Sequence, residues 1–157
     1  MRKSTILLLV IVYILSFLAI GLLGQAVRSY DPVVYPESIT LIEPDNIATV
    51  HKDTKIGDKM YNYYFVVRPY REGMSIRFKA EVKPDNTKYP NVDFFKDESD
   101  QSFNLVTHDD DSSIEQNYVV ISLNKKPNPV VTTNFYVRTQ TSGERITLYV
   151  GVTFVKS

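Results

Sequence analysis

Read as a pattern of apolar and polar positions, the chain changes period once, near residue 27. Before that point, Thr5 to Gly24 runs TILLLVIVYILSFLAIGLLG without a charge. About twenty apolar residues is the length a helix needs to cross roughly 30 Å of hydrocarbon at about 1.5 Å per residue. Beyond it the pattern has a period of two. Ser38 to Ile42 reads as a first short strand closed by Pro44-Asp45, and Ile47 to His51 as a second candidate. Met60 to Arg68 (MYNYYFVVR) is a strong strand that Pro69 stops. Met74, Ile76, Phe78, Ala80 and Val82 alternate with Ser75, Arg77, Lys79 and Glu81, which predicts one apolar and one wet face. Pro84-Asp85-Asn86 turns the chain. Phe103 to Thr107 and Tyr118 to Leu123 are shorter strands, the second broken by Pro127-Asn128-Pro129. The last two strands form a predicted hairpin with Ser142-Gly143 in its turn. Val131, Thr133, Phe135 and Val137 share one face of the first, and Ile146, Leu148, Val150, Val152 and Phe154 one face of the second.

No stretch beyond residue 27 carries a 3.6-residue apolar period. The pattern therefore predicts an all-β domain: an antiparallel immunoglobulin-like β-sandwich of about seven or eight strands, preceded by one N-terminal transmembrane helix. A closed barrel is the alternative. The organisation that follows is a cytoplasmic start at 1–4, a signal anchor at 5–27, a linker at 28–37 stiffened by Pro32 and Pro36, and an extracytoplasmic domain at 38–157.

Arg2 and Lys3 precede the apolar run and Arg28 follows it, which predicts the N-terminus inside and the β domain outside. Gly24-Gln25-Ala26 also has the small-x-small form of a signal-peptidase site, and cleavage after Ala26 would release the domain. The length of the run argues for retention, since signal cores span about 7–15 apolar residues. A pilin-type leader would need a Lys/Arg-Gly processing site and an acidic residue one turn into the run. Neither is present.

Charge and composition narrow the classes. Lys and Arg total 18, as do Asp and Glu. Because two of the bases precede the membrane run, the exported part is slightly acidic. That gives no electrostatic footprint for nucleic acid. Cysteine is absent, which excludes disulfides, a thiolate nucleophile and cysteine-ligated metal. The exported domain must hold together by packing and hydrogen bonds.

Two strands are apolar on both faces. Met60 to Arg68 carries Tyr61, Tyr63, Phe65 and Val67 on one side, but Tyr64 and Val66 on the other; Tyr149 and Val155 repeat this on the last strand. Such a strand is covered on both sides or offers one face to a partner. Tyr64, Val66 and Tyr149 are therefore the partner-interface candidates. The run from Asp93 to Glu115 is acidic, and Asp109, Asp110 and Asp111 are a weak Ca²⁺ candidate. The spacing is not that of an EF-hand and no glycine lies in the region, so an acidic solvated loop is the favoured reading. His108 beside Asp109 is a thin acid/base or metal pair. No phosphate loop, nucleophile elbow or dinucleotide fingerprint appears, so no catalytic residue and no cofactor is expected.

These features predict a membrane-anchored extracytoplasmic structural or protein-interaction module, not an enzyme. It would serve as an accessory, anchoring or assembly subunit of a cell-envelope complex. Its partners would be the membrane through a single span, an envelope or membrane-complex protein, and a second copy of itself. Alternatives are a secreted filament subunit assembled by strand exchange, with Val33 to Ile42 as donated strand, and a small ligand- or metal-binding domain. In its plan the chain resembles the archaellum stator subunits: a short cytoplasmic start, one membrane helix and one outside β-sandwich. That resemblance implies a role bracing a rotating filament against the membrane and surface layer.

Overall fold

The computed structural model describes residues 3–28, 32–42, 44, 49–71, 73–124, 129–141 and 143–156. The breakers Asp45 and Pro127-Asn128, the turn residue Ser142 and the start of the second predicted strand lie outside the described residues. The chain divides into two compact units, Met1–Val33 and Val34–Ser157.

The first unit holds α1 (Lys3–Arg28), 26 residues long. At about 1.5 Å per residue it is long enough to cross a membrane, and Thr5–Leu22 is apolar enough to do so. Every side chain from Thr5 to Leu22 is exposed. The Ser16 hydroxyl is satisfied internally, its Oγ donating to the Val12 carbonyl at 2.8 Å.

The second unit is mostly β. Its described strands are β1 (Ser38–Ile42), β2 (Thr49–Ile56), β3 (Lys59–Tyr70), β4 (Ser75–Lys83), β5 (Val92–Lys96), β6 (Phe103–Thr107), β7 (Tyr118–Leu123), β8 (Val130–Thr139) and β9 (Thr147–Lys156). They form a four-stranded sheet, β1-β4-β7-β6, and a five-stranded sheet, β2-β3-β9-β8-β5. The alternation predicted for β4 holds: Ile76, Phe78, Ala80 and Val82 are buried while Ser75, Arg77 and Lys83 are exposed. The hairpin of β8 and β9 holds as well, with Phe135 opposite Val150 and Val137 opposite Leu148. Aromatic contacts join the two sheets. The Phe78 ring lies 4.9 Å from Phe65 and 5.8 Å from Phe135, and all three are fully buried.

Four features depart from the sequence reading. Pro69 does not stop β3, which runs on to Tyr70 opposite Lys156 after a register irregularity beyond Val67. β5 is a strand that the alternation did not single out, because its five residues mix Asp93 and Lys96 with two phenylalanines. The pairing is not wholly antiparallel: β3 runs parallel to β9, with Phe65 opposite Val152 and Val67 opposite Phe154. The β unit also begins earlier than residue 38. The Val34 carbonyl accepts from Lys88 N at 3.0 Å and Thr87 Oγ1 at 3.0 Å, and Glu37 N donates to the Lys83 carbonyl at 2.7 Å.

Candidate functional site

The five-stranded sheet has one face in the core and one turned outward. Register places Tyr64 opposite Gly151 and Val66 opposite Thr153 between β3 and β9, with Asn134 and Thr132 continuing those rows on β8. One row nearer the end of the sheet, Tyr149 lies opposite Tyr136, and Tyr136 opposite Phe95. The three candidates Tyr64, Val66 and Tyr149 thus share this outer face, each half-buried.

They are part of a longer aromatic row. Phe95 stacks on Tyr136 at 5.3 Å, Tyr136 packs on Tyr149 at 4.8 Å, Tyr149 stacks on Tyr61 at 4.9 Å, and Tyr61 meets Tyr64 edge-on at 5.2 Å. The spacings match the roughly 4.8 Å between neighbouring strands. Tyr61, at the centre of the row, is buried, while Phe95, Tyr136, Tyr149 and Tyr64 are half-buried.

Tyr61 is the departure from parity. Alternation puts it with Tyr63 and Phe65, yet its ring joins Tyr149 and Tyr64 on the outer side. The β2–β3 register is continuous except at Asp53 and Asn62, and Asp53 has a φ of 46°. The register is the same on both sides of that gap, Lys52 opposite Tyr63 and Thr54 opposite Tyr61. Asn62 then uses its Oδ1 to accept from Tyr149 N at 2.8 Å.

Polar contacts lock the row. Lys59 Nζ donates to Tyr149 Oη at 3.0 Å, and Tyr149 Oη donates to Asp97 Oδ2 at 3.3 Å. Burial, then the negative charge of Asp97, pushes the Tyr149 phenol up to about 12. The Ser99 hydroxyl and N–H hold Asp97 below its ordinary value. Tyr149 therefore stays protonated across the physiological range, which suits a hydrogen-bonding surface group and not a base. Beyond Asp97, the Asp100 carboxylate accepts from Asn134 N at 3.0 Å, and Asp97 N donates to the Asn134 carbonyl at 3.2 Å. The loop after β5 thereby closes the edge of β8. Tyr64 Oη and Thr153 Oγ1 are hydrogen-bonded, and Thr153 meets Thr132 Oγ1 at 2.8 Å.

The opposite face is different chemistry. On the four-stranded sheet the Arg77 guanidinium lies 4.1 Å from the Tyr118 ring and Lys79 lies 5.9 Å from it; Lys79 pairs with Glu81. This face is charged and wet.

The acidic loop turns its carboxylates on itself. Asp110 Oδ2 accepts from Thr107 N at 2.8 Å and Thr107 Oγ1 at 3.0 Å, and Asp111 Oδ1 accepts from Ser113 N at 2.9 Å. Asp109 lies instead at a polar cavity of about 50 Å³ with His108, Asp93 and Asn117. Among the described residues no three His, Asp or Glu side chains converge as a metal site would need. His108 Nδ1 donates to the Ile114 carbonyl at 2.6 Å, which fixes its tautomer and ties down the turn.

Sequence reasoning missed Tyr61, Tyr136 and Phe95 as members of the face. Tyr136 and Phe95 were legible as aromatics at outward-facing parity; Tyr61 was not, because it shares the parity of the buried Tyr63 and Phe65. No family model, no curated protein and no solved structure matches the chain.

Proposed function

We propose that the protein is a membrane-anchored extracytoplasmic interaction module, an accessory or anchoring subunit of a cell-envelope complex. The observation that carries this reading is the aromatic row from Phe95 to Tyr64 on the outer face of the five-stranded sheet. Half-buried Tyr64, Tyr136 and Tyr149 beside aliphatic Val66 have the composition of an interface core. The domain reads as an immunoglobulin-like sandwich: β1-β4-β7-β6 has the order of an A-B-E-D sheet, and β9-β8-β5 that of G-F-C with β3 alongside. In such sandwiches the outer sheet face is a natural recognition surface. α1 would serve as anchor, with Arg2 and Lys3 keeping the N-terminus inside. It continues as helix through Gly24-Gln25-Ala26 to Arg28, which favours retention over cleavage. β1 pairs with β4 of its own chain, Ile39 opposite Val82, which favours an anchored module over strand exchange. A bracing role like that of the archaellum stator subunits is one setting that fits this plan.

The test is photocrosslinking of the full chain in membranes. A photoreactive residue at Val66 is expected to capture a protein partner or a second copy, and one at Thr40 on the opposite sheet is not. With the photoreactive residue kept at position 66, Tyr64→Ser is expected to abolish that adduct with an unchanged circular-dichroism spectrum. Equal capture from both faces, or none from Val66, would sink the reading. Protease added outside intact cells is expected to digest the β domain; protection would reverse the proposed orientation.

A further inference from the structure

Next to the Phe95 end of the aromatic row lies a cleft of about 380 Å³ whose lining includes Arg138, Arg145, Asp93 and Tyr89. Arg138 is prepared in a particular way. Its guanidinium lies 4.7 Å from the Phe95 ring, and its Nε donates to Thr147 Oγ1 at 3.3 Å. Stacking and the Nε bond fix the plane of the group and leave the two terminal amines to be used elsewhere. Asp93 is the cross-strand partner of Arg138, the obvious counter-charge. Its Oδ1 instead accepts from Gln140 Nε2. Among the described residues no carboxylate lies within ion-pair distance of Arg138 or Arg145. Two guanidiniums thus border one cleft without an anion paired to either.

We propose that this cleft binds a single carboxylate, the side chain of an acidic residue on the protein that covers the aromatic row; this rests on the interaction-module reading above. The pairing of chemistry is specific. A planar fork with its Nε already occupied meets a carboxylate through one N–H of each terminal nitrogen, in parallel. Arg138 and Arg145 with Asp93 leave one net positive charge, which matches a monoanion better than a phosphate dianion. Arg138 itself sits on Phe95, the first ring of the row, so a protein lying over the row reaches the cleft without a gap.

The experiment uses the full chain in dodecyl maltoside micelles with ¹⁵N-labelled arginine, and follows the Nε–Hε signals. Acetate is added at constant ionic strength, balanced with chloride. Saturable shifts are expected at Arg138 and Arg145, with Arg77 as an unaffected control. Arg138→Gln is expected to weaken acetate binding about tenfold, as loss of a charge-assisted pair does. Asp93→Asn is expected to tighten it severalfold, a gain that misfolding cannot mimic. Shifts that grow linearly, or that chloride alone reproduces, would overturn the site. Phosphate binding ten times more tightly than acetate would overturn the charge match. Digalacturonate binding more tightly than a Gly-Glu-Gly peptide would replace the protein partner with a polyuronide. Tyr64→Ser and Val66→Ser, which test the row, are expected to leave acetate binding intact. Failure of the cleft and failure of the row are therefore read separately.

Discussion

Gly151 and Tyr61 are matched to one another: a Cβ built on Gly151 would lie 2.7 Å from Cε1 of the Tyr61 ring. The Tyr64 ring closes from the other side, its Cδ2 also 2.7 Å from that point. The two rings cover the glycine backbone at the centre of β9, and the absence of a side chain there lets the aromatic row cross the sheet. A strand glycine marks such a close approach of neighbours.

Gly151→Ala is therefore expected to displace both rings. Overpacking of this kind costs about 1–3 kcal/mol. Urea unfolding of the full chain in micelles measures the loss, and an unchanged midpoint would show that the rings move freely.

The pH dependence of stability has a defined sign. Tyr149 is raised from 10.0 to about 12 in the folded domain. The unfolded chain thus releases that proton first, and the stability the group contributes is complete below about pH 10 and lost as pH rises toward 12. Absorbance at 295 nm is expected to show a late-ionising tyrosine that Tyr149→Phe removes. Asp97 acts at the other end: its lowered value contributes stability above 3.8 that is lost as pH falls through the folded value. Asp97→Asn is expected to flatten that acid limb.

Phe78 joins the sheets through Phe65 at 4.9 Å and Phe135 at 5.8 Å. Phe78→Ala is expected to cost about 3–5 kcal/mol, a large part of the stability of one domain. Loss of the folded β spectrum at ambient temperature is the readout. A change below about 1 kcal/mol would mean that the sheets are held elsewhere.

Ile14→Arg places a charge in the middle of the exposed apolar helix. A central arginine costs about 2.5–3.5 kcal/mol in insertion. The variant is expected to move from the carbonate-resistant membrane pellet to the soluble fraction. Full retention would show that α1 is not what holds the chain in the membrane.

Most of the secondary structure was readable from local pattern. The faces of β4, β8 and β9 follow from alternation alone, because adjacent strand residues point to opposite sides whatever they pair with. The helix follows from twenty uncharged residues in a row, because hydrophobic length is a local property. Tyr64, Val66 and Tyr149 were legible as outer-face residues for the same reason: they are apolar or aromatic where parity points outward.

What only the tertiary structure decided is everything that joins residues far apart in the chain. The parallel pairing of β3 with β9 brings Tyr61 to Tyr149, and the register of β5 on β8 brings Phe95 to Tyr136. Neither is written in any one segment, since register is set by what the sheets bury together. The packing of the Tyr61 ring against Tyr149 and Tyr64 is a contact across strands, which alternation cannot foresee. The acidic run shows the converse. A row of carboxylates is a metal candidate in one dimension, but in three Asp110 and Asp111 cap their own turn, because nearby backbone N–H groups are satisfied first.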